Sequence, residues 1–396
     1  MSRPASTRAS LIFLALTLLG FLAASSAPTP LYHLYQEQLQ FSPAVLTLIF
    51  GVYAFSLLAA LLTVGSLSDC LGRKPVIFVA LLLNILAMLL FISADSVAWL
   101  IGARLIQGFA TGMATSVLGA ALLDFDRRQG PLITSVAPLL GMACGALGCG
   151  LLAEFAPLPL QLTYWLLLGL FLAQAVYLWR LKESVSPQAG VWQSLRPTLH
   201  VPLQARRALW RVLPLDLAAW AVGGFYLSLA PSLVRAATGS TSNLIGGALV
   251  AVLTLSGASA IYLLRNQEAD TILRPSASLL VIGLALVLVA VHGASLPLFF
   301  VGTLVTGGGF GAGFLGALRS LMPLALPHER AGLMSAFYVL SYLAFSLPSL
   351  LAGNLTRVFG LIPTTDGYGA VLIVLCVAAL LGLRQSIKPL SDGVRP

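Results

Sequence analysis

The sequence predicts an all-α membrane protein with twelve transmembrane helices in two pseudo-symmetric six-helix bundles. Three observations predict this class. The 396 residues are 58% hydrophobic and only 9% charged, whereas a soluble domain carries about 25% charged residues. Twelve apolar segments are long enough to cross a bilayer, which takes about 20 residues of helix. Lysine and arginine gather at alternate connections between these segments, as positive-inside topology requires.

The charge balance does not indicate a nucleic-acid partner. The net charge is +9, from 22 Lys and Arg against 13 Asp and Glu. The basic residues form short clusters between apolar runs, which is typical of cytoplasmic loops. No cysteine pair has metal-ligand spacing with a nearby histidine. We therefore expect a lipid bilayer as a partner, with no nucleic acid and no metal.

The first apolar run, residues 11–24, could be read as a signal peptide because Arg3 and Arg8 precede it. Pro28 would follow the cleavage position and disfavours cleavage, so we expect an uncleaved first span. A stretch of roughly 44 charge-free residues, 275–318, would make one helix twice too long. We divide it at His292-Gly293. The twelve predicted spans are residues 10–29, 43–66, 75–94, 97–122, 131–153, 160–180, 210–234, 243–264, 275–292, 296–322, 331–356 and 367–384.

Orientation follows from the basic residues. Outside loops hold only Arg235 and Arg357, and Arg104 lies within a span. We therefore expect both termini in the cytoplasm and the protein in the plasma membrane, the inner membrane of a bacterium. With the N-terminus inside, the inside segments hold Arg3, Arg8, Arg73, Lys74, Arg127, Arg128, Arg180, Lys182, Arg196, Arg206, Arg207, Arg211, Arg265, Arg274, Arg319, Arg330, Arg384, Lys388 and Arg395.

The longest polar stretch divides the chain into two equal parts. Residues 181–209 are basic and contain three prolines, which is typical of a linker. They predict a cytoplasmic linker between an N-terminal six-helix half, 1–180, and a C-terminal six-helix half, 210–396. Lys74-Pro75 opens the third span and Arg274-Pro275 opens the ninth, 200 residues later. This spacing favours two parallel structural repeats.

The segment from Gly65 to Lys74, with the sequence GSLSDCLGRK, connects the second and third spans. Gly65 allows close helix packing, and Asp69 places an anion at a helix end. Gly72 permits a tight turn. Arg73 and Lys74 suit the anionic cytoplasmic face.

This segment resembles the G-x-x-x-D-x-x-G-R-K loop of the major facilitator superfamily, and the twelve spans and central linker agree with that resemblance. The resemblance implies the fold of that family and a latch formed by Asp69, which would join the two halves on the cytoplasmic side in the outward-open state. The expected partners are residues between Gly332 and Ser335, together with Arg127 or Arg128. Alternatively, Asp69 only solubilises a loop.

A second motif, Arg104-Leu105-Ile106-Gln107-Gly108, lies in the fourth span. It resembles the R-x-x-Q-G motif of the family's drug–proton antiporter branch. A charge inside a span costs several kcal/mol unless it faces a cavity or a partner. Arg104 and Gln107 share one helical face, so they form a donor-rich surface suited to an anionic group or to repelling a proton from a nearby carboxylate. Alternatively, Arg104 extends to the outer interface near Val97.

The fifth span contains Pro138, Gly141 and Gly145. It partly resembles the glycine- and proline-rich fifth span of the family's antiporters, although Ala137 stands where that motif has glycine. Small residues in this pattern allow close helix packing and a pliable hinge.

Asp216 is the acid of the second half that lies nearest to the membrane interior. A carboxylate inside a span is a candidate proton carrier. Alternatively, Asp216 occupies the first turn of the seventh span and complements the helix dipole. In the resembling family, spans 1, 4, 7 and 10 line the cavity, so Tyr226 is expected on the substrate pathway, whereas Tyr32 is expected at the outer interface.

These features together predict a secondary transporter of a small-molecule substrate that works by alternating access. We expect the protein to be monomeric. The chain has no nucleotide-binding loop, so we expect a proton gradient as the energy source and no cofactor. The motif of Arg104 favours export of small apolar or amphipathic compounds. The alternative is proton-coupled uptake of a small organic anion held by Arg104. A membrane-embedded transferase is a more remote alternative because no histidine and acid form a plausible catalytic pair, so we expect no enzymatic activity.

Overall fold

The computed structural model describes residues 7–186, 188, 191, 195, 197 and 199–384. The predicted cytoplasmic positions of Arg3, Arg196, Lys388 and Arg395, and with them both chain termini, lie outside the described residues.

The N-terminal half contains six long helices and two short ones. A 3-10 turn, Thr29–Leu31, joins the first two helices. The helices are α1 (Thr7–Ser26), α2 (Tyr32–Leu39), α3 (Pro43–Val64), α4 (Leu67–Leu71), α5 (Arg73–Ile92), α6 (Val97–Phe125), α7 (Gly130–Phe155) and α8 (Leu162–Leu178).

The C-terminal half repeats this organisation. A 3-10 turn, Met322–Leu324, precedes its last two helices. The helices are α9 (Leu203–Ser228), α10 (Ala230–Thr238), α11 (Asn243–Leu263), α12 (Ala269–His292), α13 (Leu296–Leu321), α14 (Arg330–Phe359) and α15 (Leu361–Arg384).

The helices account for twelve membrane spans within the described part of the chain. Ten are long and apolar enough to cross a bilayer unaided. The pair α9 and α10 makes an eleventh span that bends by 65°, and α8 is apolar but has only 17 residues. The division of the ninth and tenth spans is confirmed, because α12 ends at His292 and α13 begins at Leu296. The all-α, twelve-helix fold is therefore confirmed.

The seventh span differs from its prediction, 210–234. Helix α9 begins seven residues earlier, at Leu203, and the chain bends after Ser228. The first turns of α9 carry Arg206, Arg207 and Arg211. These charged residues lower the hydropathy of the segment, so a prediction from hydropathy places the start of the helix too late. The bend coincides with Pro231 near the start of α10, where proline cannot supply an N–H to a continuing helix.

Each half has its own hydrophobic core. One comprises buried side chains between Phe13 and Leu181, and the other lies between Ala205 and Leu383. The packing is pseudo-symmetric, because α5 packs against α6 and α8 as α12 packs against α13 and α15. Lys74 lies over the ring of Trp179 at the end of the first half, and Arg274 Nη2 donates to the Leu383 carbonyl at 2.9 Å near the end of the second.

The halves meet through α7 against α11 and α3 against α14. Short connections place the loops at two ends of the bundle. We call the end that carries residues 65–73 and 199–202 the linker end, and the opposite end the distal end. Several contacts between the halves lie toward the distal end, where Thr29 Oγ1 donates to the Leu227 carbonyl at 2.9 Å and the Asn243 N–H donates to Glu154 at 2.7 Å.

Candidate functional site

A cavity of about 150 Å³ lies between the two halves. Helices α1, α3, α6 and α7 line it from one side, and α9, α11, α13 and α14 line it from the other. Each half thus contributes four helices. Much of the wall is aromatic, and these aromatic residues are Phe50, Tyr53, Trp220, Phe310, Phe314, Tyr338, Tyr342 and Phe345.

The two halves are in contact on the distal side of the cavity. The rings of Phe50 and Phe345 meet there with centroids 4.9 Å apart, and they join α3 to α14 across the interface between the halves. In the other direction, the lining extends to Thr134 and Ile261 near the linker end. The structure therefore represents a state that is closed at the distal end.

Arg104 lies on the cavity wall and is 1% exposed. Its Nη1 donates to the Ser25 carbonyl at 2.9 Å and to Gln107 Oε1 at 2.7 Å, and its Nη2 donates to the Tyr32 hydroxyl at 2.8 Å. The guanidinium also lies 4.5 Å from the ring centre of Tyr53. This position excludes the alternative in which Arg104 extends to the membrane interface.

Gln107 and Tyr32 hold Arg104 in place. Gln107 accepts from the guanidinium and donates from Nε2 to the Ala24 carbonyl at 2.9 Å, so the shared face predicted for Arg104 and Gln107 is present. The interfacial position expected for Tyr32 is wrong, because the side chain is 3% exposed. Tyr32 directly follows the 3-10 turn after α1, and its hydroxyl satisfies a donor of the buried cation.

Asp216 lies inside α9 and is fully buried. Its Oδ2 accepts from Ser341 Oγ of α14 at 2.8 Å. Its Oδ1 and the indole Nε1 of Trp220 have no hydrogen-bond partner within the described chain. Asp216 is 13 residues from the start of α9, about 20 Å along the axis, which excludes the first-turn alternative.

Tyr226 does not line the cavity, contrary to the expectation from the sequence. Its hydroxyl pairs with Thr303 Oγ1 at 2.8 Å inside the C-terminal half. The residues of α9 that face the cavity are Trp220, Gly223 and Leu227. Successive residues turn by about 100° around a helix, so Tyr226 points away from Leu227 and into the core of its own half.

The loop between α3 and α5 is organised around Arg73. Its Nη1 donates to Ser68 Oγ at 2.7 Å and pairs with Asp69 Oδ1 at 2.5 Å, while its Nε pairs with Asp124 at 2.9 Å. Gly65 is also held, because its carbonyl accepts from Ser116 Oγ of α6 at 2.6 Å.

Within the described chain, the Asp69 carboxylate pairs with Arg73 and not with its expected partners. The Asp69 side chain is 60% exposed, and the Gly332 carbonyl accepts from the His200 N–H at 3.3 Å. Near Arg127, the N–H groups of Gln129 and Arg128 donate to Asp126 and lower the pKa of its carboxyl. The predicted contact with 332–335 is thus not formed here, since contacts between the halves close the distal end instead.

Glu183 is a site residue that the sequence analysis missed. Its carboxylate accepts from the N–H groups of Arg73 and Lys74, each at 2.9 Å, and so caps the first turn of α5. Gly72 has a φ of +92°, a conformation that glycine adopts without strain. The sequence does show an acid just after the sixth span. Only the folded chain brings that acid to the start of α5, 110 residues earlier.

The glycines of α7 bring it against α1. A Cβ at Gly141 would overlap the Leu19 carbonyl, and one at Gly145 would overlap the Ala23 carbonyl. Pro138 lies inside α7 and lines the cavity. Among the residues that the structure describes, no group of three or more His, Cys, Asp or Glu could hold a metal ion.

Comparisons with known proteins agree with this architecture. The sequence model of the Major Facilitator Superfamily matches residues 12–267. The chain is 33% identical over 119 residues to the multidrug resistance protein MdtL of Klebsiella pneumoniae strain 342. That match covers 28% of this chain and 30% of the relative, so it spans less than a third of the length of that protein.

Two solved structures share the fold over nearly the whole chain. One is a bacterial homologue of the human lysosomal transporter Spinster in an inward-facing, unoccupied conformation, with a TM-score of 0.75, 15% identity and coverage of 96% of this chain and 97% of that one. The other is the human organic anion transporter MFSD10, with a TM-score of 0.67, 17% identity and coverage of 95% and 100%. At these identities the likeness concerns the fold alone.

Proposed function

Because the chain belongs to the major facilitator superfamily, a family of transporters, we propose that it is a proton-coupled exporter of small apolar or amphipathic compounds. The observation that carries the proposal is the cavity between the halves, which is closed at one end and has one buried charged residue in or behind each wall. In alternating access, the two halves rock around such a central site and expose it to each side of the membrane in turn.

The linker end is assigned to the cytoplasm in this proposal. Most Lys and Arg residues of the described loops lie at that end, as the positive-inside rule requires of short cytoplasmic loops. With that orientation, the structure represents an inward-facing state. The structurally similar Spinster homologue was also captured inward-facing, which supports this interpretation.

Asp216 is the proposed proton carrier. An ionised carboxyl buried without a counter-charge costs several kcal/mol, whereas the protonated form is tolerated. Its single hydrogen bond comes from Ser341, so the proton state of Asp216 bears directly on the contact between α9 and α14. Trp220, one turn beyond Asp216 on α9, and Tyr338 of α14 line the cavity, and they would separate the proton from the substrate.

Two observations support export as the direction of transport. The motif of Arg104 resembles that of drug–proton antiporters, and the relative MdtL is named a multidrug resistance protein. The uptake alternative predicts that substrate and protons move the same way. A vesicle experiment with an imposed pH gradient separates these two directions.

The test uses the reconstituted full chain with a pH-sensitive dye inside the vesicles. The probes are ethidium, Nile red and anilinonaphthalene sulfonate, which are a cation, a neutral compound and an anion. We expect at least one probe to move against proton flow, and Asp216→Asn to reduce that coupled movement to the level of empty vesicles because it removes the titrating oxygen. Movement of a probe together with protons would replace export with uptake.

Asp270→Asn is the matched control, because Asp270 lies in the same half and its side chain is 74% exposed. This variant should keep the coupled movement of the wild type. Full proton coupling in Asp216→Asn would remove Asp216 from the mechanism. Absence of coupled movement for all three probes in the wild type would contradict the proposed export of amphipathic compounds.

A further inference from the structure

The cavity wall carries one formal charge. Among the described residues that line the cavity, Arg104 is the only Lys, Arg, Asp or Glu. Asp216 is fully buried behind the wall. A molecule that enters the cavity therefore lies next to a buried positive charge, and no described residue of the wall is negatively charged.

Among the described residues, no acidic side chain neutralises the charge of Arg104. Its hydrogen-bond acceptors are the Ser25 carbonyl, the Gln107 amide oxygen and the Tyr32 hydroxyl, all uncharged. None of the ion pairs within the described chain includes it. Buried arginines are normally paired with a carboxylate, because an unpaired buried ion costs several kcal/mol.

The guanidinium retains unused donor capacity. Arginine has five N–H groups, and the recorded hydrogen bonds use two on Nη1 and one on Nη2. Nε has no partner. Two donors remain, the Nε–H and the second hydrogen of Nη2. A bidentate contact with one carboxylate or sulfonate uses two donors.

The rest of the wall selects the body of the ligand. Phe50 and Tyr53 from one half, and Trp220, Tyr342 and Phe345 from the other, surround the cavity beside Arg104. Such a wall favours a flat or otherwise apolar body. Together with the unpaired cation, it favours an anionic head and disfavours a cationic one.

We propose that Arg104 binds the acid group of the transported molecule, so that the substrates are organic acids with an aromatic or apolar body. This inference rests on the proposed transport function and names the substrate class of the same cavity. On this basis the missing counter-charge of Arg104 is supplied by each substrate in turn. Tyr32 and Gln107 act as positioning residues, because they hold the guanidinium without neutralising it.

The test compares three ligands with one aromatic body: naphthoate, its neutral carboxamide and naphthylmethylammonium. Binding to the purified full chain is measured by calorimetry in an uncharged detergent, with no gradient. We expect naphthoate to bind about ten-fold or more tightly than the carboxamide, in keeping with a charge-assisted bidentate contact, and the ammonium compound to bind most weakly. Equal affinities for the three ligands would overturn the proposal.

Variants test whether Arg104 causes the preference for naphthoate over the carboxamide. Arg104→Gln keeps hydrogen bonding but removes the charge, and it should abolish the preference for naphthoate over the carboxamide. Tyr226→Phe is the matched control, because it also removes a buried hydroxyl but one that does not line the cavity, so it should keep that preference. If Arg104→Gln does not fold, Arg104→Lys is the informative variant, because it keeps the charge but lacks the planar fork of donors; a naphthoate affinity equal to that of the wild type would overturn the assignment to Arg104. A naphthoate preference that persists in Arg104→Gln would do so as well.

Transport of naphthoate and its carboxamide into vesicles of uncharged lipid separates the two proposals. Tight, Arg104-dependent binding without transport would contradict the proposed function and leave the acid-binding site standing. Transport of both compounds at equal rates, without a binding preference, would support a transporter and overturn the inferred substrate class.

Discussion

At the scale of residues, three charged side chains are buried in the described chain: Arg73, Arg104 and Asp216. Arg73 pairs with two carboxylates, Asp69 and Asp124, so it stabilises the structure of a loop. Arg104 and Asp216 make hydrogen bonds only to uncharged groups. Unpaired buried charges are costly. The roles that we propose for these two residues therefore require a partner from outside the protein: an anion for Arg104 and a proton for Asp216.

Asp69→Asn tests the latch proposed from the loop motif. The Asp69 side chain is 60% exposed, and an exposed ion pair contributes less than about 1 kcal/mol. We therefore expect little change in the thermal unfolding temperature, together with slower transport, because the partner of Asp69 in the outward-open state is lost. Asp95→Asn, in an exposed loop at the distal end, is the control. Unchanged turnover in Asp69→Asn vesicles would argue against a latch.

At the scale of helices, two sets of contacts stabilise the arrangement of helices in the N-terminal half. Glycines let α7 approach the backbone of α1, and Glu183 from the linker caps α5. The first set brings Pro138 and Met142 of α7 to the same cavity as Leu22 and Ser25 of α1. The second connects the linker to the loop that carries Asp69, so a movement of the linker would reach that loop directly.

Gly145→Ala tests the packing of α1 against α7. The added Cβ would overlap the Ala23 carbonyl, and overpacking of this kind typically costs about 1–3 kcal/mol. We expect a lower unfolding temperature in detergent. Gly148→Ala lies three residues further along the same helix, where a Cβ would meet no atom within 4 Å. Equal unfolding temperatures for the two variants would show that the contact does not stabilise the half.

At the scale of the whole molecule, the relation between the two halves defines the state of the protein. Each half has its own core, whereas smaller clusters join them. Contacts such as Thr29 with Leu227 and Glu154 with Asn243 hold the distal end. Since Asp69 is exposed and unconnected to α14 in its hydrogen bonds, the two ends of the bundle differ as alternating access requires.

A disulfide across the distal end should trap this state. A Cβ at Gly150 would lie 3.3 Å from Leu244 Cα, which is within reach of a disulfide. In a background without Cys70, Cys144, Cys149 and Cys376, we expect oxidation of Gly150→Cys with Leu244→Cys to cross-link the halves and stop transport, and reductant to restore it.

The matched control pairs Gly148→Cys with Leu244→Cys, because Gly148 faces open space. This pair should neither cross-link nor lose transport on oxidation. Full transport by the cross-linked Gly150 and Leu244 pair would mean that the distal end need not open.

By itself, the sequence determined that the protein lies in a lipid bilayer, how many spans it has and which family it belongs to. Lipid demands long apolar helices, and charge asymmetry between their connections is a local property that can be read along the chain. The division at His292 was predictable for that reason. The early start of α9 was not, because residues 203–209 include Gln204, Arg206 and Arg207, and this polar content lowers the mean hydropathy of a segment that is nevertheless helical.

Only the tertiary structure decided which residues meet at the site. It brought Tyr32 to Arg104 and Ser341 to Asp216, and it turned Tyr226 away from the cavity. These outcomes depend on the rotation of each helix about its axis. In spans that are apolar all round, no amphipathic pattern in the sequence fixes that rotation. It is set by packing against other helices, through contacts between residues that lie far apart in the chain.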